Sequence, residues 1–414
     1  MITTTRTNPS NKAASTLQWI VLILAACLVY GVMQGIHDNY GIMMRGLLAT
    51  TGVDYAGISF CIGVGALVYG FAQPLLGILA LKKSSTFVLI IGILCTVTGL
   101  VVSPLCRSFL TLLLFFGLLL PFGTTGLCFG IIMGAITPVV GEKRAAMFSG
   151  IIQASAGIGD ALMSPGLQTL IAAFGIRTAM SSFSIPFLIM IPIALWIGHL
   201  NRSQPRLMAD SNQEQVPLSH IIQSAFRDRD YRLILIGFAT CGFNMSIIES
   251  HLFSQFISYG IPDQAASFAL TVYGIATMLG AAGIGFLGMK FPMKNLLGSV
   301  YGIRIFISLG FLVLPKSIPF AFIMTALLGM SGDSTVPPTS GIISKRFGSK
   351  NMAMLYGFAL VGHQIGAFLS AYLGGLFVKN GWGYEPLWIV NMGLAAMASA
   401  ASFSIHRECE AIRL

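Results

Sequence analysis

The chain has 414 residues, 55% of them hydrophobic and 9% charged, with a mean hydropathy of +0.82 and a formal net charge of +10. Soluble domains carry about 25% charge, so this composition excludes the soluble enzyme classes and places the body of the chain in a bilayer. The excess of Lys and Arg is spread over short loops rather than gathered into one basic segment, which points to membrane orientation rather than nucleic acid.

Apolar stretches of roughly 20 residues, enough to cross about 30 Å of hydrocarbon as helix, recur along nearly the whole chain. Taken in order they predict helices 1 to 12 at 17–46, 54–80, 86–105, 108–138, 145–173, 177–198, 231–258, 264–288, 295–314, 318–343, 352–378 and 385–405. The first run is too long for a cleavable signal and lacks a small-residue cleavage pattern, so it reads as a retained span with Gly35 and Gly41 as its weak points. The longest polar stretch opens at His199 and divides the chain six plus six. The expected organisation is a tail at 1–16, a six-helix bundle at 17–198, a central loop at 199–230, a second bundle at 231–405 and a tail at 406–414. With the N-terminus cytoplasmic, eighteen Lys and Arg fall on that side and five on the other (Arg45, Arg107, Arg177, Lys316 and Lys379), leaving Arg304 inside a helix. That asymmetry predicts a plasma-membrane (inner-membrane) protein with both termini, the central loop and both tails cytoplasmic.

The halves echo each other. Asp54-Tyr-Ala-Gly-Ile-Ser-Phe opens helix 2 and Asp263-Gln-Ala-Ala-Ser-Phe opens helix 8; Gly77 and Gly285 introduce the basic ends of the same two helices. Both matches sit about 208 residues apart. Duplicated halves are a feature of alternating-access transporters, with the solute site at their interface.

At this level the chain resembles the major facilitator superfamily, and within it the bacterial branch near the monocarboxylate and oxalate/formate porters. The resemblance rests on Cys241-Gly-Phe with His251-Leu, Tyr301-Gly-Ile-Arg304, Thr335-Val-Pro337 with Thr339-Ser-Gly, His363-Gln-Ile-Gly-Ala-Phe with Gly374-Gly375, Tyr40-Gly41, and Phe71-Ala-Gln73-Pro74-Leu-Leu-Gly77. It implies an all-α integral membrane fold of 12 transmembrane helices in two pseudo-symmetric six-helix bundles. Helices 1, 4, 7 and 10 would line the cavity, 2, 5, 8 and 11 would flank them, and 3, 6, 9 and 12 would lie outside. It also implies a carboxylate-bearing solute. Two departures stand out. Leu81 and Met289 occupy the positions where the family's short loops carry an acid, and helix 8 lacks the Arg that anchors the anion in those porters.

Charged groups inside a bilayer cost from about 2.5 to over 10 kcal/mol, so each calls for a purpose. In helix 1, Tyr30, Gln34, His37 and Gly41 share a face, with Asp38 about 100° around; the alternative is a hydrogen-bonding seam between helices. In helix 5, Gln153, Gly157, Asp160 and Ser164 repeat the spacing, and Asp160 in a lipid-like setting suits reversible protonation; an Asp bonded to a serine or amide is the alternative. In helix 7, Asn244 and His251 are expected to face inward with Glu249 turned to a neighbour, the reverse rotation remaining open. In helix 10, Asp333 precedes Pro337-Pro338, a break of the kind that marks binding sites; a structural cap is its alternative. In helix 11, His363 and Gln364 lie mid-span, with Tyr356 one heptad before His363; a satisfied core histidine is the plainer reading. Arg304 reads as a snorkelling or packing arginine near the cytoplasmic end. The expected substrate contacts are therefore Tyr30, Gln34, His37, Asn244, His251, His363 and Gln364, and the expected proton carriers Asp38, Asp160 and Asp333.

No GxxxxGK[ST], HExxH or metal-spaced Cys/His cluster is present, and the seven Cys form no CxxC pair. The expectation is a secondary transporter without cofactor or metal, not an enzyme, probing no nucleic acid, and working as a monomer on a small-molecule substrate with proton coupling. Export of amphipathic compounds, as in drug or siderophore efflux, is the alternative within transport, and a non-transporting receptor is the alternative outside it.

Overall fold

The computed structural model describes residues 16–140, 142–202 and 218–406. Most of the expected tails, at 1–15 and 407–414, and 203–217 of the expected central loop lie outside the described residues.

Among the described residues ten helices are long and apolar enough to cross a membrane, and two features of the backbone bring the number of passes among them to twelve. The segment Glu142–Arg202 turns at Gly175, whose φ of 77° and ψ of 168° suit only glycine, and thereby makes helices 5 and 6. Helix 10 is broken into Ile318–Ser331, a short turn Asp333–Thr335 and Val336–Phe347, so neither half is long enough to span by itself. The others are helix 1 (Thr16–His37 continued by Tyr40–Thr51), helix 2 (Tyr55–Lys82), helix 3 (Ser85–Val102), helix 4 (Phe109 to Val140 in four pieces), helix 7 (Arg229–Ser258), helix 8 (Asp263–Leu287), helix 9 (Met293–Val313), helix 11 (Ser349–Lys379) and helix 12 (Glu385–Phe403).

Packing follows the sequence repeat. Helix 1 packs on 5, 2 on 4, and 3 on the 5–6 segment; six helices later, 7 packs on 11, 8 on 10, and 9 on 12. The same exchange relates the two seams that join the halves, helix 2 with 11 and helix 8 with 5. Small residues set these spacings, since helices in lipid gain attraction by close backbone approach. A Cβ on Gly159 of helix 5 would collide with the Gly31 carbonyl of helix 1, and one on Gly366 of helix 11 with the Ala239 carbonyl of helix 7.

Three expectations change. Helix 1 is interrupted at Asp38-Asn39, where the Asn39 amide bonds the Gly35 carbonyl at 2.7 Å. Helix 7 contains a π turn at Ile247–Leu252. Within the stretch expected as loop, Leu218–Arg227 forms a helix with Ile221, Ile222, Ala225 and Phe226 interleaved with polar residues. It leads into Asp228, which caps helix 7 through the Tyr231 amide at 2.8 Å and receives Arg346 at 2.9 and 2.7 Å.

The seam geometry makes Gly159→Val costly. Overpacking backbone against backbone destabilises by about 3 kcal/mol, so this variant should melt markedly lower in detergent. Gly77→Ala, where a Cβ meets nothing within 4 Å, should melt like the parent. Equal melting of the two would refute the seam.

Candidate functional site: carboxyls between the halves

The interruption in helix 1 decides where the site lies. Asp38 leaves the helical run there, and both its oxygens accept from the Gln34 amide at 2.9 Å. Its carboxyl faces that of Asp160 on helix 5. Two facing carboxyls share a hydrogen bond only when one carries a proton. Asp160 is 5% exposed and its Oδ1 has no hydrogen-bond partner. The Asp160 carbonyl accepts from Ser164, whose hydroxyl also donates to Asn39, so the two interrupted elements are tied together.

The π turn brings the second half of the site. By widening one turn it takes Asn244 and His251 off a common face. Glu249 then points to helix 1, where His37, Asp38 and Glu249 each offer a ligand atom within 4.8 Å of the others. The expected rotation of helix 7 is thus reversed. His251 is fully buried elsewhere: its Nε2 meets the Ala371 carbonyl at 3.0 Å and its Nδ1 the Tyr55 hydroxyl at 2.9 Å. A carbonyl only accepts, so Nε2 carries the proton and Nδ1 accepts from Tyr55. Asn244 is 1% exposed, with neither amide atom bonded.

Asp333 opens the short turn after Gly332 in helix 10 and has His363 and Arg304 as charged neighbours. Arg304 does not snorkel. It is 1% exposed and donates from Nη2 to the carbonyls of Ser331 and Gly332 at 2.5 and 2.8 Å, so it satisfies the backbone freed by the break. His363 packs at 4.9 Å on Phe238, with Nδ1 unpartnered. Gln364 instead packs on Gly70 in the seam between helices 2 and 11. His37 stacks on Tyr69 at 4.6 Å, and its Nδ1 is also unpartnered. Tyr30 lies edge-on to Phe129.

The structure therefore brings Asp38 and Glu249 within 4.8 Å, with Asp160 packed on Gly274 of helix 8 and the hydroxyl of the adjacent Tyr273 against Gly332, the neighbour of Asp333. Glu249 as a cavity residue and Tyr273 were not expected. A mid-span tyrosine was the available signal for the second; nothing in the sequence announced the π turn behind the first.

One end of the interface is latched. Lys379 of helix 11 meets Asp54 before helix 2 at 2.8 Å, and Arg45 of helix 1 meets Asp263 of helix 8 at 3.2 Å. The repeat thus supplies both acids of a matched pair. Beneath them Tyr55 bonds His251 and Tyr384, and Thr271 bonds the Ala161 carbonyl at 2.9 Å. Toward the other end, where helix 1 begins, the seams run out. Gly77, Gly150, Gly283 and Gly357 have nothing within 4 Å of a Cβ, whereas Gly63 and Gly70 abut helix 11 and Gly157 and Gly274 abut each other. Asp38, Glu249, Asp333 and His363 are half-buried at the apex of this wedge.

A sequence profile of the Major Facilitator Superfamily matches residues 19–317. The uncharacterized MFS-type transporter YcxA of Bacillus subtilis is 21% identical over 95% of this chain and 97% of its own length. Monocarboxylate transporter 12 of Xenopus laevis is 23% identical over 73% of this chain and 70% of its own. A bacterial homologue of the human lysosomal transporter Spinster, solved in an inward-facing and occupied conformation, superposes with a TM-score of 0.70 at 18% identity, covering 94% of this chain and 97% of that one.

The latch should be weak in energy. Both pairs are about half exposed, and such pairs contribute about 0–1 kcal/mol. Lys379→Ala should scarcely change melting yet raise thiol labelling of an introduced Ser254→Cys beneath the latch. Lys379 and the Gly57 amide hold the Asp54 carboxyl below its ordinary range. Its contribution is complete above the unfolded carboxylate value of about 3.9 and fades as pH falls through the lower folded value. Normalised to the reactivity of a free thiol at each pH, labelling should therefore stay flat from pH 8 to 5 in the parent; a rise in that window would break the assignment of the latch to Asp54.

Proposed function

As this chain belongs to the major facilitator superfamily and is a multi-pass membrane transporter rather than an enzyme, we propose that it moves a small organic solute by alternating access, driven by exchange of protons at the Asp38–Asp160 pair. The observation that carries this reading is the set of four carboxyls gathered between two halves closed at one end only. Carboxyls that must exchange a proton to coexist give cargo binding and proton release a common site. Burial in the spans keeps that exchange from leaking across the membrane.

The division at 17–198 and 231–405, the cytoplasmic termini, the plasma-membrane location and the monomeric state belong to the same proposal. With the N-terminus cytoplasmic, the open wedge faces inward. Asp38, Asp160 and Asp333 keep their expected role in proton handling, and Tyr30, His37 and His363 their role near solute. His251 and Gln364 act in the closed seams instead.

A carboxylate-bearing solute, which the resemblance implied, would need a cationic anchor. Arg304, a basic side chain beside the site, is 1% exposed and gives its Nη2 to two backbone carbonyls. That observation favours the second reading, outward movement of an amphipathic compound in exchange for protons.

Reconstituted in proteoliposomes with an imposed pH gradient, the parent should accumulate a solute from an organic-acid, amino-acid and amphipathic-compound panel. Asp160→Asn should lose gradient-driven accumulation at least about tenfold while keeping solute exchange at equal pH. Transport indifferent to the gradient would refute coupling.

A further inference from the structure

The triangle formed by His37, Asp38 and Glu249 has a specific size. Its three acceptor atoms lie within 4.8 Å of one another. A primary ammonium group presents three tetrahedrally disposed N–H donors. Charge-assisted N–H···O bonds of about 2.8 Å, set at the tetrahedral angle, separate their acceptors by about 4.6 Å. A divalent transition metal with bonds of about 2.1 Å draws its ligands to about 3.0–3.4 Å of each other. A triangle bounded at 4.8 Å accommodates an ammonium group, and a metal only where the ligands stand closer than that bound.

The surroundings suit the same head group. A fourth acceptor, Asp160 Oδ1, is buried and unpartnered, and it belongs to the group facing Asp38. Tyr69 stacks on His37, and Tyr40 stands edge-on to it. The Tyr273 hydroxyl reaches Gly332, next to Asp333. Aromatic rings beside carboxylates are a favourable setting for a desolvated organic cation. Among the described residues the basic side chain beside this group is Arg304, which gives Nη2 to the carbonyls of Ser331 and Gly332.

We infer that the cargo carries a primary ammonium group, bound by the His37 imidazole and the carboxylates of Asp38 and Glu249, with the rest of the solute against the tyrosines. This rests on the transport reading above and names its substrate class. Asp38 belongs to the N-terminal half and Glu249 to the C-terminal half, so the bound head group ties one half to the other. Its positive charge replaces the proton that lets Asp38 and Asp160 lie together, and that proton leaves as the amine enters.

The test uses three probes with one body: phenethylamine, its N,N,N-trimethyl analogue and 3-phenylpropionate. Calorimetry on the purified full-length protein in detergent should give saturable binding of phenethylamine with proton release, read as a dependence of the heat on buffer ionisation. Both other probes should bind at least tenfold more weakly. Glu249→Gln and Asp38→Asn, confirmed as monodisperse, should each weaken phenethylamine binding at least tenfold, and Lys379→Ala should not. The assignment is overturned by 3-phenylpropionate binding as well as the amine, by absence of amine binding, or by amine binding unchanged in both carboxyl variants. Saturable Mn²⁺ or Zn²⁺ binding abolished by those variants, without amine binding, overturns it in favour of a metal site. Proteoliposome flux separates the two readings. Carboxylate-driven proton movement would leave transport standing and remove the ammonium, whereas amine binding without any flux would leave the site and remove transport.

Discussion

Four carboxyl groups near the middle of a hydrocarbon slab repel one another, and the low dielectric that surrounds them strengthens the repulsion. Their coexistence requires protons, donors or a visiting cation. The fold supplies donors sparingly: Gln34 to Asp38, with Asp160 left one oxygen short. Three departures from regular helix bring these groups toward one another. The interruption at Asp38-Asn39, the π turn before Leu252 and the break at Gly332 occur on helices 1, 7 and 10. Asp160 alone comes from an unbroken stretch, and glycines on both sides hold that stretch against helices 1 and 8.

Broken helices in lipid must satisfy their freed backbone. Asn39 does so for helix 1 through the Gly35 carbonyl, and Arg304 does so for helix 10 through two carbonyls. The arginine thus closes the break with Nη2, while its Nε and Nη1 stay buried without a partner.

Much of this was legible beforehand. Hydropathy alone placed all twelve passes to within a few residues, and the Asp54 and Asp263 repeats foretold the exchange of partners between the halves. The cost of charge in lipid singled out Asp38, Asp160 and Asp333 as candidates. Orientation around helix 7 did not follow, because a helical wheel assumes 3.6 residues per turn and the π turn there exceeds it. The surroundings of His251 were not legible either: Tyr55, which bonds it, and Tyr384, which bonds Tyr55, come from distant parts of the chain that no local pattern connects to it. Helix Leu218–Arg227 was hidden by its polar composition, which conceals an apolar stripe.

The close glycine contacts between helices 1 and 5, and between 7 and 11, have one more consequence. They make each half stiff, so Asp38 keeps its distance to Asp160, and Glu249 stays with helix 11 behind it, through any rotation of the halves. What rotation alters is the gap from Asp38 to Glu249. That gap works as a caliper: whatever charge sits between its jaws senses the posture of the whole molecule, and the posture answers to the charge.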